Sequence, residues 1–134
     1  MPARKKAPVS AELRRIERRI ELGRQGEDAA ASLLEREGYE ILARNVRTRL
    51  GEIDIVASDG DTLAIVEVKL RSSIDAALLA VDARKQRRIS LLAAALLARP
   101  GAWRGPLRFD VVAVERGTLR AVLVRGAFDG ADGF

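Results

Sequence analysis

The chain has 134 residues, 48% of them hydrophobic and 32% charged, which is enough for one packed core and too apolar for a disordered polymer. With no cysteine and no histidine, disulfide scaffolds, zinc fingers, thiol nucleophiles, Ser-His-Asp triads and imidazole acid–base chemistry are excluded, so any catalysis must use carboxylates, amines, hydroxyls or a borrowed metal. The net charge of +5 is carried by residues 1–24, where eight Lys or Arg face three Glu, and it favours a polyanionic partner, although anionic lipid would attract the same segment.

Residues 1–9, with Pro2 and Pro8 among basic and small residues, predict a flexible basic arm, and residues 10–134 a single domain. A solubilising tail is the plain alternative for the arm. From Ser10, a potential N-cap, Leu13, Ile16 and Ile20 recur at helical spacing. Gly23, Gly26, Glu27, Ala30 and Leu34 then continue one face to Gly38, a small-residue face that can approach a sheet closely. Three Ile- and Val-rich strands follow at 40–47, 52–58 and 62–69, separated by Gly51 and by Asp59-Gly60-Asp61, and read as a meander. A second helix is predicted over 82–98, where Ile89, Leu92, Ala93 and Leu96 share a face and Pro100-Gly101 stops it. Two more strands, 107–115 and 119–124, flank Arg116-Gly117. The order α-β-β-β-α-β-β gives an α/β fold, a mixed β-sheet flanked by helices. The longest fully apolar run, Leu91 to Ala98, falls far short of the roughly 20 residues that span a bilayer, and no hydrophobic leader follows the first basic residues; a cytoplasmic protein without membrane contact is expected.

The chemistry centres on Gly51-Glu52-Ile53-Asp54-Ile55-Val56 and Ile65-Val66-Glu67-Val68-Lys69. Strand alternation predicts Ile53 and Ile55 on one face and Glu52 and Asp54 on the other, with Glu67 and Lys69 opposite Val66 and Val68. In an antiparallel hairpin any loop of even length, such as Gly60-Asp61, places Asp54 and Glu67 on the same face, whereas a three-residue loop separates them. Two converging carboxylates among aliphatic groups repel each other and lose hydration, which calls for a cation. Mg2+, or Mn2+, suits them: hard oxygen donors from Asp54, Glu67 and the backbone carbonyl of Val68 would suffice where phosphate and water complete the shell. Lys69 can then orient a water and stabilise charge developing on phosphorus, and Glu27 can support the cluster. The competing reading makes Glu67 and Lys69 an ion pair on a solvated sheet. Glu52 is assigned to a salt bridge with Arg44 or Arg49.

These residues carry a family resemblance. Gly23-x-x-Gly26-Glu27, Gly38-Tyr39, Arg44-Asn45, Gly51-Glu52-Ile53-Asp54, Val66-Glu67-Val68-Lys69-x-Arg71, Lys85, Arg108-Phe109-Asp110-Val111-Val112 and Ala127-Phe128 resemble the YraN-like uncharacterised bacterial family over residues 23–128. That family is similar to the restriction-endonuclease-like superfamily, including the archaeal-type Holliday junction resolvases. The resemblance implies a restriction-endonuclease-like core, a D-ExK metal-dependent endonuclease site built from Glu27, Asp54, Glu67 and Lys69, and nucleic acid as partner, DNA before RNA, in repair or recombination. A duplex or junction has two strands to cut, which suits a homodimer. The proline that often precedes the Asp in restriction enzymes is replaced here by Ile53, and residues 72–80, expected to border the mouth of the site, are small and aliphatic.

Arg84, Lys85, Arg87 and Arg88 crowd the first turns of the second helix, where the macrodipole disfavours cations, so a nearby anion is expected. Arg71, Arg84, Lys85, Gln86 and Arg88 are accordingly the candidate nucleic-acid contacts; a basic turn balanced by Asp75 and Asp82 is the alternative. Asp110 is assigned to structure, paired with Arg108 or a helix arginine, and Trp103 to covering an edge of the core. Two further classes remain open: a nucleic-acid-binding accessory that keeps the fold without cleaving, and a protein-interaction scaffold.

Overall fold

In the computed structural model, which describes residues 9–130, the elements are α1 (Val9–Arg36), β1 (Glu40–Thr48), β2 (Gly51–Asp59), β3 (Thr62–Arg71), α2 (Ile74–Leu79), α3 (Ala83–Leu97), β4 (Leu107–Glu115) and β5 (Ala121–Phe128). Apart from Val9, the expected basic arm lies outside the described residues. The strands form one sheet in the order β1-β2-β3-β4-β5, with β3 and β4 parallel and every other neighbouring pair antiparallel. This is the α/β mixed sheet the sequence predicts, with one added helix, α2.

Both faces of the central strands are covered. Ile55, Ala57, Ala64, Val66, Val112 and Val114 pack with Ala30, Ala31 and Leu34 of α1. Val56, Leu63, Ile65, Phe109 and Val111 pack with Val81 and with Ile89, Leu92 and Ala93 of α3. A strand buried on both faces reads as a continuous apolar run, which is why Ile65-Val66 and Val111-Val112 show no polar alternation. The small face of α1 makes the expected close approach: a side chain at Gly26 would stand 3.4 Å from Leu70 Cβ. The helix ends as the residue types dictate. Gly38 takes φ +90°, its N–H donates to the Glu35 carbonyl, and the Tyr39 N–H donates back to the Leu34 carbonyl, so the buried Tyr39 and Leu34 close the turn.

Ser10 lies inside the helix and not at its cap, because Val9 is already helical. The apolar residues of this first stretch do not reach the core: Leu13, Ile16 and Ile20 are about half exposed or more. Helix α2 escapes prediction because six residues hold less than two turns of periodicity. Ser73 starts it by accepting the Ala76 N–H at 3.0 Å, and Ile74 and Ala77 pack on Ala113. Asp82 caps α3 through the Lys85 N–H at 2.9 Å. Trp103 covers the end of the α3 layer, its indole N–H donating to the Pro106 carbonyl at 2.9 Å. Among the described residues no helix is long and apolar enough to cross a membrane.

Candidate functional site

The β2–β3 hairpin turns through Gly60 and Asp61, the even loop that sets the parity required, and its ladder runs from Asp59 opposite Thr62 to Ile55 opposite Val66. There it stops. Ile53 packs with α3 while Ile55 packs with α1, so two residues expected on one face lie in opposite layers and the alternation breaks at Asp54. The cause is on β1. Asn45, which the β1–β2 register sets opposite Asp54, has φ +53°, a left-handed conformation that Asn tolerates better than other non-glycine residues. Beyond this point the Asp54 carboxylate replaces a strand carbonyl, its Oδ2 accepting the Val68 N–H at 2.8 Å.

Asp54 lines a cavity of about 460 Å³ together with Glu27, Val68 and Lys69. Burial first, and then the negative charges of Glu67 and Glu27, push its carboxyl up to about 7, against the opposing pull of the Val68 N–H and the Lys69 ammonium. Glu27 is oriented by Arg44 Nε and by the Asn45 amide, each donating to Oε1 at 3.0 Å. Glu67 is buried and does not line the cavity itself; it meets Lys69 Nζ and Lys85 Nζ, both 3.4 Å from its Oε1. Lys69 thus links Glu67 to the cavity. The ion-pair reading of Glu67 and Lys69 holds as contact, but the pair is desolvated and not spread on a wet sheet face.

The donor set is a pair of carboxylates. Among the described residues no group of three or more Asp, Glu, His or Cys is placed to hold a metal ion. Asp54 and Glu67, whose charge raises the Asp54 carboxyl, are hard oxygen donors of the kind Mg2+ or Mn2+ takes while keeping most of its own water. Both lysines meet Glu67 at Oε1, so among the described ion pairs none involves its Oε2.

The basic candidates separate. Arg71 is exposed at the end of β3 and lines the Asp54 cavity. Lys85 is drawn to Glu67. Arg84 is exposed on the first turn of α3. Gln86 and Arg88 are not brought to the site. The Gln86 amide donates to the Val81 carbonyl at 3.0 Å and lines an apolar cavity with Val111 and Phe128, while the Arg88 guanidinium donates to the Leu50 carbonyl and holds the β1–β2 turn against α3. Gly51 is needed in that turn because its φ of +148° is a conformation side chains rarely adopt, and a Cβ there would also stand 3.2 Å from Leu92 Cδ2. The expected salt bridge of Glu52 with Arg44 or Arg49 is corrected: Arg44 pairs with Glu27 and Asp28 of α1, and among the described ion pairs none involves Glu52 or Arg49. Sequence reading overlooked Asn45 as a holder of Glu27, and missed Arg19 and Arg116, which also line the cavity.

The model of the uncharacterised protein family UPF0102 matches residues 26–114. A UPF0102 protein of Symbiobacterium thermophilum is 50% identical over 112 residues, covering 80% of this chain and 95% of the relative. One of Desulfosudis oleivorans is 45% identical over 116 residues, covering 85% and 94%. One of a Parafrankia species is 51% identical over 112 residues, covering 80% and 95%.

Proposed function

For a chain that belongs to the uncharacterised protein family UPF0102, we propose a nuclease-like function: metal-dependent hydrolysis of a phosphodiester bond in nucleic acid. One observation carries this reading. Asp54 sits where the β2–β3 ladder ends, its charge opposed by Glu67 and Glu27, in a cavity that also holds the Lys69 ammonium. An acid left among acids favours a cation as its partner.

Asp54, Glu67 and the Val68 carbonyl are the groups that would hold a divalent ion. When bound, such an ion supplies Lewis acidity that lowers the pKa of water and offsets charge on a phosphoryl oxygen. The rest falls to the chain. Asp54 lines the cavity with its Oδ2 held by the Val68 N–H, which restrains the carboxylate and leaves Oδ1 for a ligand. Lys69 carries positive charge from the buried Glu67 to the cavity wall, where it can hold a water or a phosphate oxygen. Glu27, held by Arg44 and Asn45, is placed to accept a hydrogen bond from that water.

The pairing of Glu67 with two lysines favours a second reading, a module that binds nucleic acid and does not cut it. Incubation of the purified protein with single-stranded, duplex, flapped and four-way DNA and RNA, with Mg2+, Mn2+ or chelator, separates the two. The nuclease reading expects metal-dependent cleavage that Asp54→Asn and Lys69→Ala remove while affinity is kept. Binding without cutting supports the module, and cleavage that survives Asp54→Asn overturns the site.

A further inference from the structure

The cavity that holds Asp54 has a basic rim built from three separate elements: Arg19 on α1, Arg71 at the end of β3 and Arg116 in the β4–β5 turn. All three are exposed, and among the described residues none makes an ion pair; Arg71 donates only to its neighbouring Leu70 carbonyl, at 2.8 Å. Arg71 and Arg116 are not adjacent by chance of side-chain rotation. The Arg116 N–H donates to the Arg71 carbonyl at 2.7 Å, which ties the two backbones together where the parallel β3–β4 ladder ends. Among the described residues no aromatic side chain lines the cavity. On α3, Lys85 is turned to Glu67 and Arg88 to a backbone carbonyl, while the exposed Arg84 and Arg87 do not line this cavity.

We propose that Arg19, Arg71 and Arg116 form a phosphate track that seats a nucleic-acid strand across the Asp54 cavity. The inference rests on the nuclease-like reading of that cavity and names its substrate contacts. Unpaired guanidinium forks are suited to phosphate oxygens, and three of them on three elements match successive phosphates of a strand better than one small anion. With no aromatic platform, the track reads charge and backbone geometry, so affinity is set by salt and strand form and hardly by base identity. It also places the strand on the α1 side of the sheet and not along α3.

The test is metal-free binding, which does not depend on cleavage. Fluorescence anisotropy of labelled DNA and RNA of mixed sequence, in chelator over a range of salt, compares the wild type with the triple variant Arg19→Gln, Arg71→Gln, Arg116→Gln. A charge-matched control removes Arg36, Arg49 and Arg104, which do not line the cavity. The track predicts a loss of roughly tenfold or more at low salt for the first triple, with the slope of log affinity against log salt reduced by about 0.7–0.9 for each arginine that meets a phosphate. The control should change little, and both should keep the wild-type melting temperature. Equal losses in the two triples would reduce the effect to net charge and overturn the track. So would a wild type that binds no nucleic acid, or one that binds only anionic vesicles. Arginine-dependent binding without cutting upholds the track and defeats the catalytic reading; cutting that the first triple leaves intact does the reverse.

Discussion

Two acids that alternate out of aliphatic strands, Asp110 and Asp54, meet opposite surroundings. Asp110 is fully buried and saturated: it accepts the Tyr39 hydroxyl at 2.6 Å, Arg108 Nε at 2.8 Å and the Gly126 N–H at 2.9 Å, and Arg108 reaches on to Asp59 at 2.7 Å. The Tyr39 phenol is pushed up to about 12, by burial first and then by its bond to Asp110, so it stays a donor. Asp54 has one backbone N–H and two acidic neighbours. The contrast teaches how to tell a carboxylate satisfied within the fold from one left open to a ligand. Charge that is neutralised in place holds the fold together, and charge left short of a partner is available to a ligand.

The sharpest way to break this contrast is to neutralise each acid. Asp54→Asn should lower metal-dependent cleavage by about 100-fold or more while leaving the fold intact, as initial rates and melting curves would show. Asp110→Ala should do the opposite, costing about 3–5 kcal/mol in urea unfolding because it takes the buried acceptor away from the Tyr39 hydroxyl, Arg108 Nε and the Gly126 N–H at once, leaving Arg108 with Asp59 alone. If Asp110→Ala proved harmless to stability and fatal to cleavage, the two roles would have to be exchanged.

The pH dependence sharpens the difference further. A carboxyl whose folded pKa lies near 7, above its unfolded value near 4, binds a proton more tightly when folded, so its contribution to stability falls as pH rises between those values. Wild type and Asp54→Asn should therefore be equally stable below about pH 4. In chelator, the variant should gain by roughly 1–3 kcal/mol above pH 7, a figure discounted for water at the cavity mouth. Added Mg2+ should close that gap, and parallel stability curves for the two proteins would refute the account. The smallest effect is expected at Asn45. Asn45→Ala should cost about 1–2 kcal/mol, through the left-handed backbone and the lost bond to Glu27, while Asn45→Gly should recover the backbone share. Urea midpoints of the two variants would separate the shares.

Much of this was legible from residue order. The apolar runs mark the strands, Asp82 and Pro100-Gly101 bracket α3, and the β2–β3 turn is the even loop Gly60-Asp61. The pairing of Asp110 with Arg108, two residues away on its own strand face, was legible too. What stayed hidden depends on three-dimensional neighbours. Strict alternation put Ile53 with Ile55, and they part at Asp54, opposite the left-handed Asn45 of the adjoining strand. Crowded cations on α3 suggested a phosphate, yet Lys85 and Arg88 are satisfied by Glu67 and by a turn carbonyl far away in sequence. Arg19 and Arg116 lie almost a hundred residues apart, and no local pattern announces that both reach one cavity.

The bond from the Val68 N–H to the Asp54 carboxylate has a wider consequence. Past Ile55 and Val66, β2 and β3 are joined through a side chain where backbone would ordinarily serve, so the cohesion of that end of the sheet depends on the same carboxylate that faces the cavity. Protonation or coordination of that carboxylate weakens its oxygens as acceptors and changes how firmly the two strands grip. The hairpin is in effect a gauge of what its own aspartate is doing.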